Sequence, residues 1–413
     1  MGRPLSVGLY SPFFGSTVGG GEKYLAVAAE AIRDSFRDVR VEIVSPAPAD
    51  RELYERMLAV DLSGIHLRST TARVTTLHRR LNSIRRLRLY RDLFVSARAV
   101  RFTRDYDLLL SMVYVIPAFT RARRSVILCQ FPYTIGSTPP GVPSVMRPLY
   151  RIYTLPERLL RPILVGDDLR SFQKVICYSE YVRGWVRRYW HRDSDLVFPP
   201  IDIPVAEPDF DLKDRVILSV GRFFSGGHSK RHDVLIQAFR QMCDAGLGGW
   251  ELHLAGSVHR DEDSLRYFER VQDLAHGYPV HIHEEPAYED LQHLYRRASI
   301  YWHASGFGID PDRDPIALEH FGMTTAEAMS HGVVPVVLAA GGQLEVVHDG
   351  EDGFHWRTLD ELQERTRRLI DDPGLIRRLA LAARSSSRRY SRPEFKRRMA
   401  DSLRPLIDDL RQG

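Results

Sequence analysis

Cysteine and lysine are both scarce in this chain of 413 residues. The three cysteines, Cys129, Cys177 and Cys243, lie far apart and show no paired spacing. This argues against a disulfide framework or a cysteine zinc site and suits a reducing compartment. Lysine occurs at only five positions, so a lysine in a phosphate-like context, such as Lys230, is less easily dismissed as a solvated surface charge.

Long apolar runs are also missing. No uncharged segment reaches the ~20 residues that a membrane span needs. The chain opens on Leu5–Tyr10, which has the pattern of a strand rather than of a secretory signal. We therefore expect a cytoplasmic protein, with peripheral binding to the inner face of the cytoplasmic membrane as an open alternative.

The length and the hydrophobic pattern predict two α/β domains. A hydrophobic content of 44% with 10% aromatic residues supplies two cores. Strand-like runs such as Val39–Ser45, Tyr106–Met112, Val216–Val220 and Ile300–His303 alternate with helical stretches, which indicates parallel sheets covered on both faces. We predict two Rossmann-like domains that face each other across a cleft.

The domain boundary is marked by proline. The segment Phe198–Pro204 contains three prolines and cannot continue a helix or a central strand. We place an acceptor-binding domain at 1–200, a donor domain at 201–390 and a C-terminal helix at 391–413 that packs back toward the first domain. Ligands of such sheets bind beyond the carboxyl ends of the strands.

Arginine is concentrated in one segment. Eleven arginines lie between Ile65 and Asp105, where the only acidic residues are Asp92 and Asp105. A solvated helical face is one interpretation, and attraction to anionic lipid headgroups or to a phosphate-bearing acceptor is the other. Nucleic acid is disfavoured because no recognised binding motif accompanies the charge.

Two basic residues follow the first strand of the second half. Gly221 and Arg222 leave the predicted strand, and Lys230 stands just before the next helix. An arginine fork and a lysine point charge at such a turn both suit a diphosphate. An ordinary surface loop with solvated charges is the alternative.

The segment Glu319–Met329 is the most specific in the chain. A helix is expected to start near Met323–Thr325, and its free amides, with Gly322 permitting close approach, can hold a phosphate or a sugar hydroxyl. Glu319 precedes this helix and Glu327 lies in its second turn. Each glutamate alone could instead be an ordinary helix-end or surface residue.

Together these segments resemble the retaining glycosyltransferases of family 4, which have the GT-B fold. The matching motifs are Gly19-Gly20-Gly21-Glu22, Gly221-Arg222, Lys230, Glu319-x7-Glu327, Gly332–Val337, Gly341-Gly342-x-x-Glu345 and Gly350–Phe354. The tetrapeptide Glu319-His320-Phe321-Gly322 most resembles the corresponding motif of mannosyltransferases that use GDP-mannose.

The resemblance implies roles for individual residues. Arg222 and Lys230 would hold the diphosphate, Glu327 the ribose hydroxyls, and Glu319 the donor sugar near its reacting carbon. Catalysis would thus depend on Glu319, Arg222 and Lys230. The remaining donor-binding positions implied by the likeness are Gly20, Gly21, Phe321, Gly322, Met323 and Thr324.

The chain departs from the family pattern at two places. The interval between Arg222 and Lys230 is longer than usual, so the loop 224–229 is expected to move or to cover the donor. Gln130 stands where many members have a histidine after the strand Ser125–Gln130. A glutamine can hydrogen-bond a sugar hydroxyl but cannot act as a general base, and we place Gln130 on the acceptor side.

No cofactor or metal is expected. A nucleoside diphosphate leaves as an anion, so cations and aligned amides can stabilise it without a general acid. Asp310-x-Asp312-x-Asp314 lacks the glycine and terminal glutamate of a calcium loop. His281 and His283 alternate along a strand but have no evident third ligand in register, which favours a structural role over zinc.

The sequence thus predicts a retaining hexosyltransferase that moves a sugar from a nucleotide-diphosphate sugar, GDP-mannose by preference, to a lipid-linked or glycan acceptor. UDP-sugars remain open as donors. The alternatives are an epimerase, a phosphorylase or a non-catalytic partner subunit with the same fold.

Overall fold

The computed structural model describes residues 3–70, 100–114, 120–132, 147–164, 169–226 and 228–412. The chain divides into two compact units. The N-terminal unit comprises Met1–Phe198 and Phe395–Gly413, and the C-terminal unit comprises Pro199–Glu394.

The N-terminal unit contains a seven-stranded sheet in the order β3-β2-β1-β4-β5-β6-β7, with every neighbouring pair parallel. Its strands are Leu5–Tyr10 (β1), Val39–Ser45 (β2), His66–Ser69 (β3), Leu108–Tyr114 (β4), Arg124–Phe131 (β5), Lys174–Cys177 (β6) and Asp195–Leu196 (β7). Its helices before residue 199 are Gly20–Ser35 (α1), Arg51–Leu58 (α2), Arg147–Leu164 (α3) and Glu180–Trp190 (α4).

The C-terminal unit contains a six-stranded parallel sheet in the order β10-β9-β8-β11-β12-β13. Its strands are Val216–Val220 (β8), Glu251–Gly256 (β9), Val280–Glu284 (β10), Ile300–His303 (β11), Val334–Leu338 (β12) and Phe354–Trp356 (β13). Its helices are His232–Asp244 (α5), Glu262–Ala275 (α6), Tyr288–Arg297 (α7), Met323–Ser330 (α8), Gln343–Val346 (α9), Leu359–Asp371 (α10) and Pro373–Ser387 (α11).

In both sheets the strand that comes first in the chain lies in the interior of the sheet. The first strand of each unit, β1 or β8, has the second strand on one side and the fourth on the other, which is the Rossmann order. The predicted fold class of two Rossmann-like α/β units is therefore confirmed.

The last helix, Arg392–Gln412 (α12), belongs mostly to the N-terminal unit. Its apolar residues recur every three or four positions, so they form one stripe that is buried in the N-terminal core. These residues are Phe395, Met399, Leu403, Ile407 and Leu410. Lys396 Nζ anchors the helix to α1 through Glu30 Oε2 at 2.7 Å and Asp34 Oδ2 at 2.9 Å.

Strand bounds differ from the expectations where local turns intervene. The strand expected at 106–112 runs from Leu108 to Tyr114, because Thr103–Asp105 form a 3-10 turn just before it. Three short strands were not expected: β3, β7 and β13. At two to four residues each, they are too short to show an alternating pattern.

Most of the arginine-rich segment lies outside the described residues, including Arg79, Arg80, Arg85 and Arg86. Arg68, which is described, pairs with Asp105 at 2.8 Å on the edge of the sheet. None of the helices in the described part of the chain has the length and apolar character to cross a membrane.

Candidate active site

The side chains of Lys230 and Glu319 form an ion pair. Lys230 is the tenth residue after the end of β8, and its side chain lies over Gly221. A Cβ atom at position 221 would overlap the methylene carbons of Lys230. Glycine at this position therefore lets the ammonium reach Glu319, beyond the carboxyl end of β8.

His303 completes this arrangement. It is the last residue of β11, it is buried, and its Nε2 lies 3.4 Å from Glu319 Oε2. Burial alone would raise the pKa of the Glu319 carboxyl, but Lys230 and His303 outweigh burial and hold that pKa well below its usual range. Glu319 is thus a carboxylate at neutral pH, which can accept hydrogen bonds or balance a positive charge but cannot donate a proton.

Gly322 shapes the start of α8. Its φ of +104° is in the left-handed region, and a Cβ atom there would overlap the side-chain amide of Gln343. The same amide donates to Thr325 Oγ1 at 3.1 Å. These contacts fix the first turn of the helix, whose leading N–H groups have no partner within the helix and can face an anion or a hydroxyl.

Phe321 cannot offer its ring to a ligand. The ring is buried and packs edge-on against Tyr390, with the ring centroids 4.9 Å apart. Any contribution of Phe321 must therefore come from its backbone. Met323 and Thr324 are only partly buried, and Thr324 Oγ1 lies 2.8 Å from the hydroxyl of Tyr301.

The two glycines at 341 and 342 support the loop that carries Glu319. Gly341 has a φ of +62°, and a Cβ atom on it would overlap the carbonyl oxygen of Glu319. The Gly342 N–H donates to that same carbonyl at 2.7 Å. This motif therefore acts by close backbone packing behind the glutamate.

Glu327 lies in the second turn of α8 and is partly exposed. Its Oε2 accepts a hydrogen bond of 3.2 Å from the hydroxyl of Tyr295, a buried residue of α7. One carboxylate oxygen is thereby oriented, and the partial exposure leaves room for a further donor such as a hydroxyl group.

Arg222 is exposed and has no ion-pair partner among the described residues. The charge of Arg222 contributes to lowering the pKa of His228. Burial lowers the pKa of His228 to about 4, Glu319 opposes this shift, and Lys230 and Arg222 reinforce it. The loop 221–230 therefore brings the two cations into one neighbourhood, although Gly227 within it lies outside the described residues.

The remaining predicted residues belong to the N-terminal unit. Helix α1 begins at Gly20, and Gln130 stands near the carboxyl end of β5. A Cβ atom on Gly21 would overlap the Nε2 of Gln130. The structure thus brings Gly21 and Gln130 into direct contact, although they were singled out for different reasons.

The two groups considered above as possible metal ligands, the aspartates at 310–314 and the histidines at 281 and 283, differ in the structure. Asp310 forms a local turn, in which its Oδ1 accepts the amide of Asp312 at 3.0 Å and its Oδ2 pairs with Arg313 at 3.3 Å. The expectation that His281 and His283 lack a third ligand in register is wrong. The neighbouring strand supplies His253 directly opposite His281, with Glu251 two residues before it.

Three residues outside the sequence motifs also hold the site together: His303, Gln343 and Tyr295. His303 had a usable signal, because it ends a predicted strand at the edge where ligands of such sheets bind. The side chains of Gln343 and Tyr295 contact α8 from other helices, α9 and α7. Nothing in the local sequence around either residue indicates these contacts.

Comparison with known protein families agrees with this geometry. Residues 203–386 match the family Glycosyl transferases group 1. This range covers nearly the whole C-terminal unit and contains Arg222, Lys230, Glu319 and Glu327. The C-terminal unit is thus similar to this family over nearly its whole length.

Two curated relatives and one solved structure illustrate the likeness. The chain is 23% identical to GDP-Man:Man(3)GlcNAc(2)-PP-Dol alpha-1,2-mannosyltransferase of Dictyostelium discoideum over 58% of this chain and 48% of the relative. It is 25% identical to a trehalose synthase of Pyrococcus horikoshii over 54% of this chain and 55% of the relative. The chain therefore spans about half the length of these relatives.

The solved structure is Anabaena HepE in complex with UDP and glucose. It has a TM-score of 0.65 and 17% identity, and the match covers 97% of this chain and 99% of HepE. At this identity the likeness concerns the fold, and it extends over both units.

Proposed function

We propose that the protein is a retaining glycosyltransferase that moves a hexose from a nucleotide-diphosphate sugar to a lipid-linked or glycan acceptor. The observation that carries the proposal is the Lys230–Glu319–His303 group beside the free N–H groups of α8. The group supplies a fixed positive charge and a fixed carboxylate, and the helix that begins four residues after Glu319 supplies amides.

In this proposal each side chain meets a different part of the donor. Arg222 and Lys230 neutralise the diphosphate, since the lysine ammonium has three donors and uses one on Glu319. Glu327 accepts from the ribose hydroxyls. Glu319, together with the amides from Phe321 to Met323, holds the sugar.

The mechanism follows from the charge that develops. As the glycosidic bond to the diphosphate breaks, negative charge grows on the leaving oxygen, where Arg222, Lys230 and the helix amides stabilise it. The sugar ring becomes positive, and the Glu319 carboxylate, kept ionised by Lys230, offsets that charge. The acceptor hydroxyl attacks from the face that the diphosphate leaves, and its proton passes to the departing phosphate oxygen. Configuration is then retained.

GDP-mannose is the donor that we favour. The sequence of the Glu319–Gly322 motif supports this choice. The Dictyostelium discoideum relative, whose name includes GDP-Man, supports it as well. The UDP in the HepE complex supports the UDP-sugar alternative. No metal is assigned to the donor site, because Arg222 and Lys230 supply the compensating charge.

We place the acceptor on the N-terminal unit, beside Gln130, and propose that it is carried by a lipid at an anionic membrane surface. The relative's acceptor, Man(3)GlcNAc(2)-PP-Dol, supports this. Helix α3 adds a second observation, because its apolar residues at helical spacing are exposed, with Ile152 at 68% and Leu159 at 63%. Such a helix suits the boundary between headgroups and acyl chains.

The decisive experiment is a thermal-shift panel of GDP, UDP and ADP with the wild-type protein and the Glu327→Ala variant. A ligand at a hundred times its dissociation constant stabilises by ~2.7 kcal/mol. We expect GDP to raise the melting temperature most, and the variant to lose most of this shift. Stabilisation by UDP instead would move the donor to a UDP-sugar, and no shift with any diphosphate would refute the donor site.

Activity separates the enzyme from a non-catalytic partner subunit. A transferase with an intact site hydrolyses its donor slowly when no acceptor is present, whereas a partner subunit binds the nucleotide without turnover. Hydrolysis of GDP-mannose by the wild type, lost in the Glu319→Gln variant, is the expected result.

A further inference from the structure

A cluster of histidines lies on the sheet of the C-terminal unit, apart from the residues assigned to the donor. It consists of Glu251 and His253 on β9 and of His281 and His283 on the edge strand β10. His281 stands directly opposite His253 in the parallel register. Because strand residues two apart share a face, all four side chains project from the same side of the sheet.

The distances suit a metal ion. One ligand atom each from Glu251, His253 and His281 can be chosen so that all three lie within 4.8 Å of one another. Glu251 Oε2 is 3.0 Å from His253 Nε2 and 3.5 Å from His281 Nε2. Ligands at about 2.0–2.1 Å from a tetrahedral zinc ion are separated by about 3.3 Å. The two distances from Glu251 already fit this spacing, and the ligand atoms of the two histidines lie within 4.8 Å of each other.

His283 acts behind the three ligand atoms. Its Nε2 lies 3.1 Å from Nδ1 of His253. When His253 Nε2 gives its lone pair to a metal, the ring proton moves to Nδ1, which then donates to His283. Such an outer hydrogen bond orients a ligating imidazole and fixes its tautomer.

We propose that Glu251, His253 and His281 form a binding site for a zinc-class divalent cation, with His283 as the positioning residue. Two imidazoles and one carboxylate match the ligands that zinc takes, and water fills the fourth position, since Glu251 and His281 are 49% and 50% exposed. The ion links β10 to β9 and so stabilises the edge strand, which pairs with a neighbour on one side only.

This site is separate from the donor site. Glu251 pairs with Val216 at the start of β8, whereas the loop of Arg222 and Lys230 follows the far end of that strand. The two ends of β8 are four residue-to-residue steps apart, or about 13 Å. The proposal therefore stands whether or not the transferase proposal does.

Zinc binding to the chelator-treated full chain tests the proposal. Titration of Zn²⁺ against a chromophoric competitor should show one tight site per chain, and the ion should raise the melting temperature. Co²⁺ in place of Zn²⁺ should give the intense visible absorption of a tetrahedral site. The exposed variants His281→Gln and Glu251→Gln should each weaken zinc binding at least tenfold and lose the absorption.

The matched control is His276→Gln, an exposed histidine of the same unit, which should bind zinc like the wild type. His283→Gln should weaken binding about tenfold while leaving the cobalt spectrum tetrahedral. The proposal is overturned if the wild type binds no zinc, or if His281→Gln and Glu251→Gln bind it as tightly as the control.

Discussion

Lys230 and Glu319 lie 89 positions apart in the chain, and their side chains form one ion pair. Both side chains are largely buried, at 21% and 17% exposed. The pair has two consequences. The ammonium keeps the glutamate ionised, and the glutamate fixes the ammonium where a diphosphate would bind.

Removal of Lys230 alone should therefore harm both stability and activity. Lys230→Met leaves a largely buried carboxylate without its cation, and we expect the free energy of unfolding to fall by about 1–3 kcal/mol. The double variant Lys230→Met/Glu319→Gln should regain most of that stability in urea denaturation. It should still lack transferase activity. If the double variant recovered turnover, the pair would be purely structural.

Glu327→Ala should weaken nucleotide-sugar binding. The ribose hydroxyls would lose a charged acceptor worth about 1.5–3 kcal/mol, a 10- to 150-fold rise in the dissociation constant. Calorimetric titration of the donor measures this. Glu364→Ala, at an exposed position of α10, is the control and should bind normally. Unchanged affinity in a folded Glu327→Ala protein would remove this residue from the site.

Transfer activity should survive EDTA. Arg222 and Lys230 are assigned the role that a metal ion plays in metal-dependent glycosyltransferases, and the proposed zinc ligands lie on β9 and β10, with Glu251 opposite the start of β8. The measurement is the initial transfer rate before and after chelation and dialysis. Complete loss that Mn²⁺ or Mg²⁺ restores would contradict the assignment and bring Asp310, Asp312 and Asp314 back as candidate ligands.

The C-terminal unit should lose stability on acidification. His232 is fully buried against Phe223, its ring nitrogens have no hydrogen-bond partner among the described residues, and burial lowers its pKa to about 3. The unfolded chain takes up this proton near pH 6.5. Stability should thus fall from pH 6.5 toward pH 3, with a slope of up to ~1.4 kcal/mol per pH unit for this group.

His232→Phe should flatten that slope in urea denaturation at pH 4–7. The slope will not vanish, because burial also lowers the pKa of His320 to about 3 and that of His331 to about 4. His276→Gln, exposed, should leave the slope unchanged. An equal slope in wild type and His232→Phe would show that His232 is protonated in the folded protein.

Anionic liposomes should bind the protein, and binding should fall steeply with salt. Surface attraction of this kind fades over a Debye length of ~8 Å at physiological salt. Replacing Arg79, Arg80, Arg85 and Arg86 by glutamine should reduce binding in flotation assays while sparing donor affinity. Replacing Ile152 and Leu159 on α3 by serine should do the same.

Equal and weak binding to anionic and neutral liposomes at low salt would count against membrane docking. The arginine cluster would then be a solvated face, and a soluble glycan acceptor would become the better proposal.

The sequence by itself determined the fold class and most of the strands. It also supplied the residues that we propose for the donor site. Alternation of apolar strands with amphipathic helices depends on neighbours a few positions away, so it can be read locally. Motifs such as Gly221-Arg222 and Glu319-x7-Glu327 are likewise local. Through their resemblance to family 4 glycosyltransferases, these motifs imply a nucleotide-sugar donor.

Only the tertiary structure decided which side chains meet. His303 reaches Glu319, Gln343 covers Gly322, and Gln130 lies on Gly21, each across elements far apart in the chain. The histidine cluster shows the same limit. The sequence does not show the partner of His281, because His253 is 28 positions earlier. Parallel strand pairing brings the two histidines alongside each other, in a register that long-range packing sets.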